Sequence, residues 1–236
     1  MRTQELKSAG PPTIAKHPEL TQYYYDNSIR ATDLQRQFYD RIASRDQAVM
    51  AGGPDEAQFF SLFLRAMGAK KALEVGVFRG STTAYLAQGV GEDGKVIGLD
   101  ICKEFLDEVK AEDFWRELGV ADRIEIRIGN AVAGMKKLIE DEDAANTFDF
   151  IFIDANKTDY DTYYELALKL AKPTTGIIAV DNTFFHGTVL DGQHADGSAI
   201  DRLNKKIMLD DRVENSMLCI CDGVSIVRKR GPDEKQ

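Results

Sequence analysis

The spacing of apolar positions changes along the chain, and that change outlines a fold before any residue is given a task. Downstream of position 70, five short runs rich in β-branched and aliphatic residues, at 71–75, 96–100, 124–128, 148–154 and 177–181, alternate with longer segments at 81–90, 103–118, 132–140 and 160–171. The short runs have the length of buried strands, and several of the longer segments place apolar residues three or four apart, as one face of a helix does. Strand and helix in alternation predict β-α-β units, which build a parallel sheet with helices on both faces. Two further strand-like runs, 216–221 and 224–228, flank Asp222-Gly223, a strong hairpin signal, so an antiparallel hairpin should close the sheet.

Upstream, 33–49 reads as a mixed-charge helix and 54–67 as an amphipathic one that opens on Pro54-Asp55-Glu56, good first-turn residues. These helices should cover the sheet or the mouth of a site, with Phe59, Phe60, Leu62 and Phe63 packing on the sheet rather than on a partner subunit. Residues 184–198 carry Gly187, Gly192 and Gly197 through polar sequence; a long loop in a compact domain tends to be functional, and this one is assigned to substrate. The expectation is a Rossmann-like α/β fold: a seven-stranded, mostly parallel sheet with a C-terminal antiparallel hairpin. Residues 1–50 form an N-terminal helical extension, 51–230 the main domain and 231–236 a tail.

Composition narrows the function classes. A chain of 236 residues with 43% hydrophobic content suits one globular domain, and a formal charge of −9 argues against nucleic acid and anionic membrane surfaces, which need clustered Lys and Arg. The first twenty residues are polar and interrupted by Pro11, Pro12 and Pro18, unlike a signal peptide, and no segment is long and apolar enough to span a bilayer, so the cytosol is expected. Cys102, Cys219 and Cys221 read as reduced, buried residues, the latter two on one face of a strand. Together with His17, His186 and His194 they form no paired spacing for zinc.

The first strand runs into Glu74-Val-Gly76-Val-Phe78-Arg-Gly80-Ser-Thr82, a glycine turn leading to a helix N-terminus, and the second strand ends in Asp100. Adjacent strand ends of an open parallel sheet form a crevice in which an acid can accept hydrogen bonds from ribose hydroxyls. Phe78 stands where a dinucleotide turn needs a second glycine for close approach to pyrophosphate, which disfavours a nicotinamide cofactor. Glu74 suits a ligand carrying an ammonium and a sulfonium, as S-adenosylmethionine does.

The fourth strand ends in Asp154-Ala-Asn156-Lys157 and the fifth in Asp181-Asn182-Thr183. Two carboxylates and an amide make an all-oxygen donor set, which favours magnesium, manganese or calcium. Lys157 is placed to take a proton from a hydroxyl held there, or else to pair with Asp154 or Asp161; Tyr160 and Tyr163 read as packing residues.

From Met50 through Arg228 the sequence resembles the metal-dependent O-methyltransferases of the caffeoyl-CoA O-methyltransferase type and, more distantly, catechol O-methyltransferase. The resemblance rests on Pro54-Asp-Glu-Ala-Gln-Phe, Glu74-Val-Gly-Val-Phe-Arg-Gly, Phe152-Ile-Asp-Ala-Asn-Lys and Val180-Asp-Asn-Thr in that order. It implies Asp154, Asp181 and Asn182 as metal ligands and Gly52, Glu74, Gly76, Val77, Thr82, Asp100, Ala131 and Asn156 around the methyl donor. Asp154 and Lys157 would carry the catalysis, Lys157 as general base, and a homodimer would act on a small phenolic substrate. Asn156 in place of a usual Asp, Gly52 in place of Thr or Ser, and Thr183-Phe-Phe-His186 in place of a Trp and Asn depart from the plant pattern. A methyltransferase acting on nitrogen or protein without metal, and a nicotinamide-dependent oxidoreductase, stand as alternatives.

Overall fold

A computed structural model of the chain describes residues 19–234. The first eighteen residues, which bear on the expected absence of a signal peptide, and the last two of the expected tail lie outside the described residues. The elements, in order, are α1 (Leu20–Ser28), α2 (Asp33–Ala43), α3 (Pro54–Met67), β1 (Lys71–Val75), α4 (Ser81–Gly89), β2 (Lys95–Asp100), α5 (Glu104–Glu108) and α6 (Ala111–Glu117). They continue with β3 (Ile124–Ile128), α7 (Ala131–Glu140), β4 (Phe150–Ile153), α8 (Tyr160–Leu170), β5 (Ile177–Val180), α9 (Ala195–Met208), β6 (Val213–Leu218) and β7 (Val224–Lys229). One seven-stranded sheet runs in the order β3-β2-β1-β4-β5-β7-β6. The first five strands of that order are parallel, and β7 pairs antiparallel with both β5 and β6. This is the Rossmann-like arrangement that the alternation predicts.

Strand side chains alternate between the two faces, and each face builds its own core. Leu73, Val75, Ile97, Leu99, Ile151, Ile153, Ile178 and Val180 pack with Met135 and Leu138 of α7, Tyr163 and Tyr164 of α8, and Ile200 and Leu203 of α9. On the other face, Ala72, Val96, Phe150, Phe152 and Ala179 meet Phe38, Phe60, Leu64, Leu86, Phe114 and Trp115. Phe60 of α3 sits with its ring centre 5.2 Å from that of Phe150 and 4.9 Å from that of Phe152. The N-terminal helices therefore cover the sheet, as expected; Leu62 alone of the four apolar residues considered above is exposed, at 68%.

Four expected elements differ. The helix expected over 103–118 is two helices: Lys110 turns left-handed at φ 52°, and the carbonyl of Val109 that this frees accepts a hydrogen bond from Arg41 Nη1 at 2.7 Å. The helix expected over 33–49 stops at Ala43, where the Ser44 hydroxyl donates to the Arg41 carbonyl and Gln47 reverses the chain at φ 58°. Residues 195–208, the first four of them expected within the substrate loop, form α9, capped by the His194 ring accepting from the Gly197 amide. Strand β4 starts at Phe150, with Phe148 limited to an isolated bridge to Ala171.

The cysteines also depart from expectation. Strand β6 ends at Leu218, so Cys219 and Cys221 lie in the connection and are exposed, while Cys102 is half-buried. Cys221 turns its Sγ to Asp55 Oδ1, 3.2 Å away, and burial pushes that thiol up. No helix among the described residues is long and apolar enough to cross a membrane.

Candidate active site

Strands β2, β1, β4 and β5 end along the same edge of the sheet, and their following residues open a cavity of about 1080 Å³. Gly76, Asp100, Asp154, Asn156, Lys157, Asp181 and Asn182 line it, with Gly52 and Ala131 at its sides. It lies at the crevice that ligands occupy in open parallel sheets.

One end of the cavity begins at the glycine turn. Gly76 has φ +94°, and a Cβ there would sit 1.9 Å from the backbone oxygen of Asp154. β1 and β4 can therefore bring their ends together only because residue 76 lacks a side chain. Asp100 fixes the turn: its Oδ2 accepts from the amides of Val77 and Phe78, both at 2.8 Å, and its Oδ1 accepts from Cys102 at 2.9 Å. With two bonds to Oδ2 and one to Oδ1, Oδ1 keeps lone-pair capacity for a ribose hydroxyl. Phe78, left-handed at φ 52°, lays its ring 4.9 Å from that of Phe105. Behind it the guanidinium of Arg79, 1% exposed, bonds to the Asp46 carbonyl at 2.7 Å and Glu108 at 3.0 Å. Gly76→Ala is expected to destabilise the fold by about 3–5 kcal/mol through strain at this special φ and the clash, read as a drop in Tm together with lost donor binding.

Three residues expected around the donor stand behind the cavity wall. Glu74 is buried on the α4 side of β1, where it accepts from Thr83 Oγ1 at 2.6 Å; burial pushes its carboxyl well up. Val77 and Thr82 are also buried, 5% and 6% exposed, so Val77 reaches the site through its backbone. Thr82 Oγ1 would stand 2.9 Å from a Cβ at Gly52, so the small residue at 52 matches the threonine behind it. Asn156 bonds to Asp159 through Nδ2 at 2.7 Å and accepts from the Tyr163 hydroxyl, which orients the amide beside the cavity.

At the other end, Asp154 follows β4, and Asp181 and Asn182 follow β5. Lys157 donates to Asp154 Oδ1 at 2.8 Å and to the Tyr160 hydroxyl at 2.7 Å, so of its two candidate partners it takes Asp154; Asp161 pairs with Lys206. Asp181 Oδ1 and both carboxylate oxygens of Glu56, the third residue of α3, are buried with no hydrogen-bond donor. Burial, then the neighbouring carboxylates, pushes Glu56 and Asp181 well above the usual carboxylate range. Ionised, the two repel each other; with one proton between them they bond to one another.

Among the described residues no three His, Cys, Asp or Glu side chains already converge as a ready-made metal cluster. The acid–acid pair with orphaned oxygens, lining the same cavity as Asp154 and Asn182, nonetheless fits a hard divalent cation, which would add positive charge beyond that of Lys157.

Glu56 carries no site assignment in the sequence reading, because Pro54-Asp55-Glu56 looks like an ordinary helix start. Its signal was available: Glu56 lies four and eight residues before Phe60 and Leu64, on the buried stripe of α3, where a carboxylate needs a partner.

The profile of the O-methyltransferase family matches residues 25–230. The chain belongs to that family. It is 37% identical over 211 residues to a probable caffeoyl-CoA O-methyltransferase 2 of Dictyostelium discoideum, covering 88% of this chain and 90% of the relative. To caffeoyl-CoA O-methyltransferase 1 of Zea mays it is 33% identical over 230 residues, covering 93% and 88%. Among solved structures, the O-methyltransferase of Bacillus cereus in complex with SAH superposes with a TM-score of 0.79 at 26% identity, covering 90% of this chain and 97% of that one. O-methyltransferase TomG of Streptomyces achromogenes shares the fold, with a TM-score of 0.81 at 23% identity over 94% and 100% of the two chains. The expected S-adenosylmethionine-dependent O-methyltransferase stands with this assignment, and the nicotinamide alternative falls.

Proposed function

We propose that this methyltransferase transfers the methyl group of S-adenosylmethionine to one hydroxyl of a small vicinal diphenol, with a divalent cation held by Asp154, Asp181 and Asn182. The observation that carries this reading is the buried, donorless oxygen of Asp181 beside the two of Glu56, inside the same cavity as the donor turn. When bound, the cation lowers the pKa of a coordinated hydroxyl and holds two adjacent oxygens in one orientation. Magnesium suits the all-oxygen set, and manganese or calcium would be held by the same oxygens.

The chain's own residues do the rest. Asp100, at the turn it pins, receives the adenosine end. Phe185 and Met50 line the acceptor end with apolar surface for an aromatic ring. Lys157, beside Asp154 in the cavity, is the group we assign to take up the hydroxyl proton. The oxygen then forms its bond to the methyl carbon as the carbon–sulfur bond breaks; the electron pair passes to sulfur, and the sulfonium leaves as a neutral thioether. Holding nucleophile and methyl carbon in line supplies most of the acceleration. Tyr160, fully buried and bonded to the Lys157 amine, sets where that amine sits.

Turnover of a vicinal diphenol and of the two matching monophenols, with labelled donor, tests the assignment. Methylation of the diphenol with little on either monophenol is expected; equal rates on all three would overturn chelation as the basis of acceptor choice.

A further inference from the structure

The loop after β5 holds three non-glycine residues in left-handed backbone: Asn182 at φ 58°, Phe185 at φ 40° and His186 at φ 54°. Such conformations are strained for residues with a Cβ and persist where the surroundings over-determine them. Here the surroundings are the turn between β6 and β7. The amide of Thr183 donates to the Gly223 carbonyl at 2.9 Å, and the amide of Phe184 donates to the Asp222 carbonyl at 3.0 Å. The Asp222 carboxylate then accepts from the His186 amide through both oxygens, each at 3.0 Å. The His186 ring stands farther off, with Nδ1 3.7 Å from Asp222, so the backbone amide is the anchor. Gly223, at φ +87°, lets the two segments touch: a Cβ there would lie 2.4 Å from Thr183 Oγ1 and 2.6 Å from the Phe184 ring.

We propose that Asp222 is a positioning residue of the methyltransferase, a clamp in the C-terminal hairpin that holds residues 182–186 in their strained form and so fixes the orientation of the acceptor. The argument rests on the reading of the site as a diphenol methyltransferase. Asn182 and Phe185 are the residues the clamp serves: one offers an amide to the cation corner, the other a ring to the acceptor end, and both take their direction from backbone angles that a relaxed loop would abandon. Asp222 itself lines the cavity. It touches neither the donor turn nor Asp100, so loosening it should disturb the acceptor and spare the donor. The angle at which a diphenol enters decides which of its two oxygens meets the methyl carbon, so the clamp also sets the ratio of the two monomethyl products.

The test uses the full-length enzyme, an unsymmetrical vicinal diphenol, labelled S-adenosylmethionine and magnesium, with Asp222→Ala, Asp222→Asn and Gly223→Ala. Asp222→Ala is expected to raise the acceptor KM about tenfold or more and to move the product ratio toward unity, with the donor KM unchanged. Asp222→Asn keeps an acceptor oxygen and should restore much of the wild-type ratio. Gly223→Ala, which pushes the loop from the other side, should reproduce the Asp222→Ala pattern. A parallel rise in both KM values with an unchanged product ratio would reduce Asp222 to a purely structural residue and overturn the proposal. An Asp222→Ala enzyme with wild-type ratio and acceptor KM would do the same. Amide exchange at His186 separates the clamp from the assigned reaction. If the wild-type enzyme methylates no diphenol, the functional reading fails. The clamp is then upheld by fast His186 exchange in Asp222→Ala against slow exchange in the wild type and Asp222→Asn, and is refuted by equal exchange in all three.

Discussion

Asp181→Asn is expected to lower methyl transfer by roughly a thousandfold, the loss of about 4 kcal/mol of transition-state stabilisation, and at the same time to make the metal-free protein more stable. The two effects have one origin. In the metal-free protein Asp181 is a buried carboxylate whose Oδ1 has no donor, next to a second buried acid, Glu56, that has none either. Above about pH 8, where these two acids begin to ionise in the folded protein, removing one of them relieves an uncompensated cost, and a gain of about 1–3 kcal/mol in metal-free stability follows. With the charge gone, the corner also loses its attraction for a divalent cation. A residue kept only for packing would behave in the opposite way, since its replacement lowers stability and activity together. Calorimetry without metal and initial rates with saturating magnesium read the two halves. An active, destabilised Asp181→Asn protein would remove the corner from the mechanism.

The second large effect is a dependence of stability on pH that a cation reverses. Glu56 and Asp181 have pKa values raised by burial and by each other, with Asp154 adding to both. The folded state therefore binds protons more tightly than the unfolded state, and linkage fixes the sign. The stabilisation from these protons is complete below the usual carboxylate pKa of about 4. It declines as pH rises through the window above that value and is gone once pH exceeds the raised folded values. Between pH 5.5 and 8 the metal-free protein should thus lose Tm steadily, after allowance for the rest of its charge. Magnesium or manganese should raise Tm strongly at pH 8 and little at pH 5.5, because a cation must displace the protons that already occupy the corner at low pH. Thermal scans at the two pH values, with and without metal, check both statements, and an equal metal effect at the two would count against carboxylates as the ligands.

The parts of this molecule that were legible in its sequence are those where one local rule decides the outcome. Strands β1, β2, β3 and β5 fall where their short apolar runs place them, and α3 spans 54–67 as expected because Pro54 and Gly68 mark its ends. The candidate ligands at 154, 181 and 182 could be found because parallel strands all deliver their carboxyl ends to one edge. The structure brings these residues together with Lys157 beside the cavity. Legibility fails where a distant partner decides. Val109 breaks a helix because Arg41, sixty-eight residues away, caps the freed carbonyl. Cys221 leaves the strand because its turn must meet residues 183–186, and Glu56 reads as helix-start chemistry until α3 is laid over the ends of β4 and β5. Glu74 shows the reverse case: its motif is clear, yet its carboxylate faces Thr83 in the core and not the cavity.

The measurement that bears most directly on the central claim is methyl transfer to a vicinal diphenol by enzyme stripped of metal with a strong chelator and then titrated with magnesium. The account predicts that stripped enzyme still binds S-adenosylmethionine but transfers no methyl group, and that magnesium restores the rate in a saturable way that Asp181→Asn abolishes. Undiminished transfer by the stripped enzyme would contradict it.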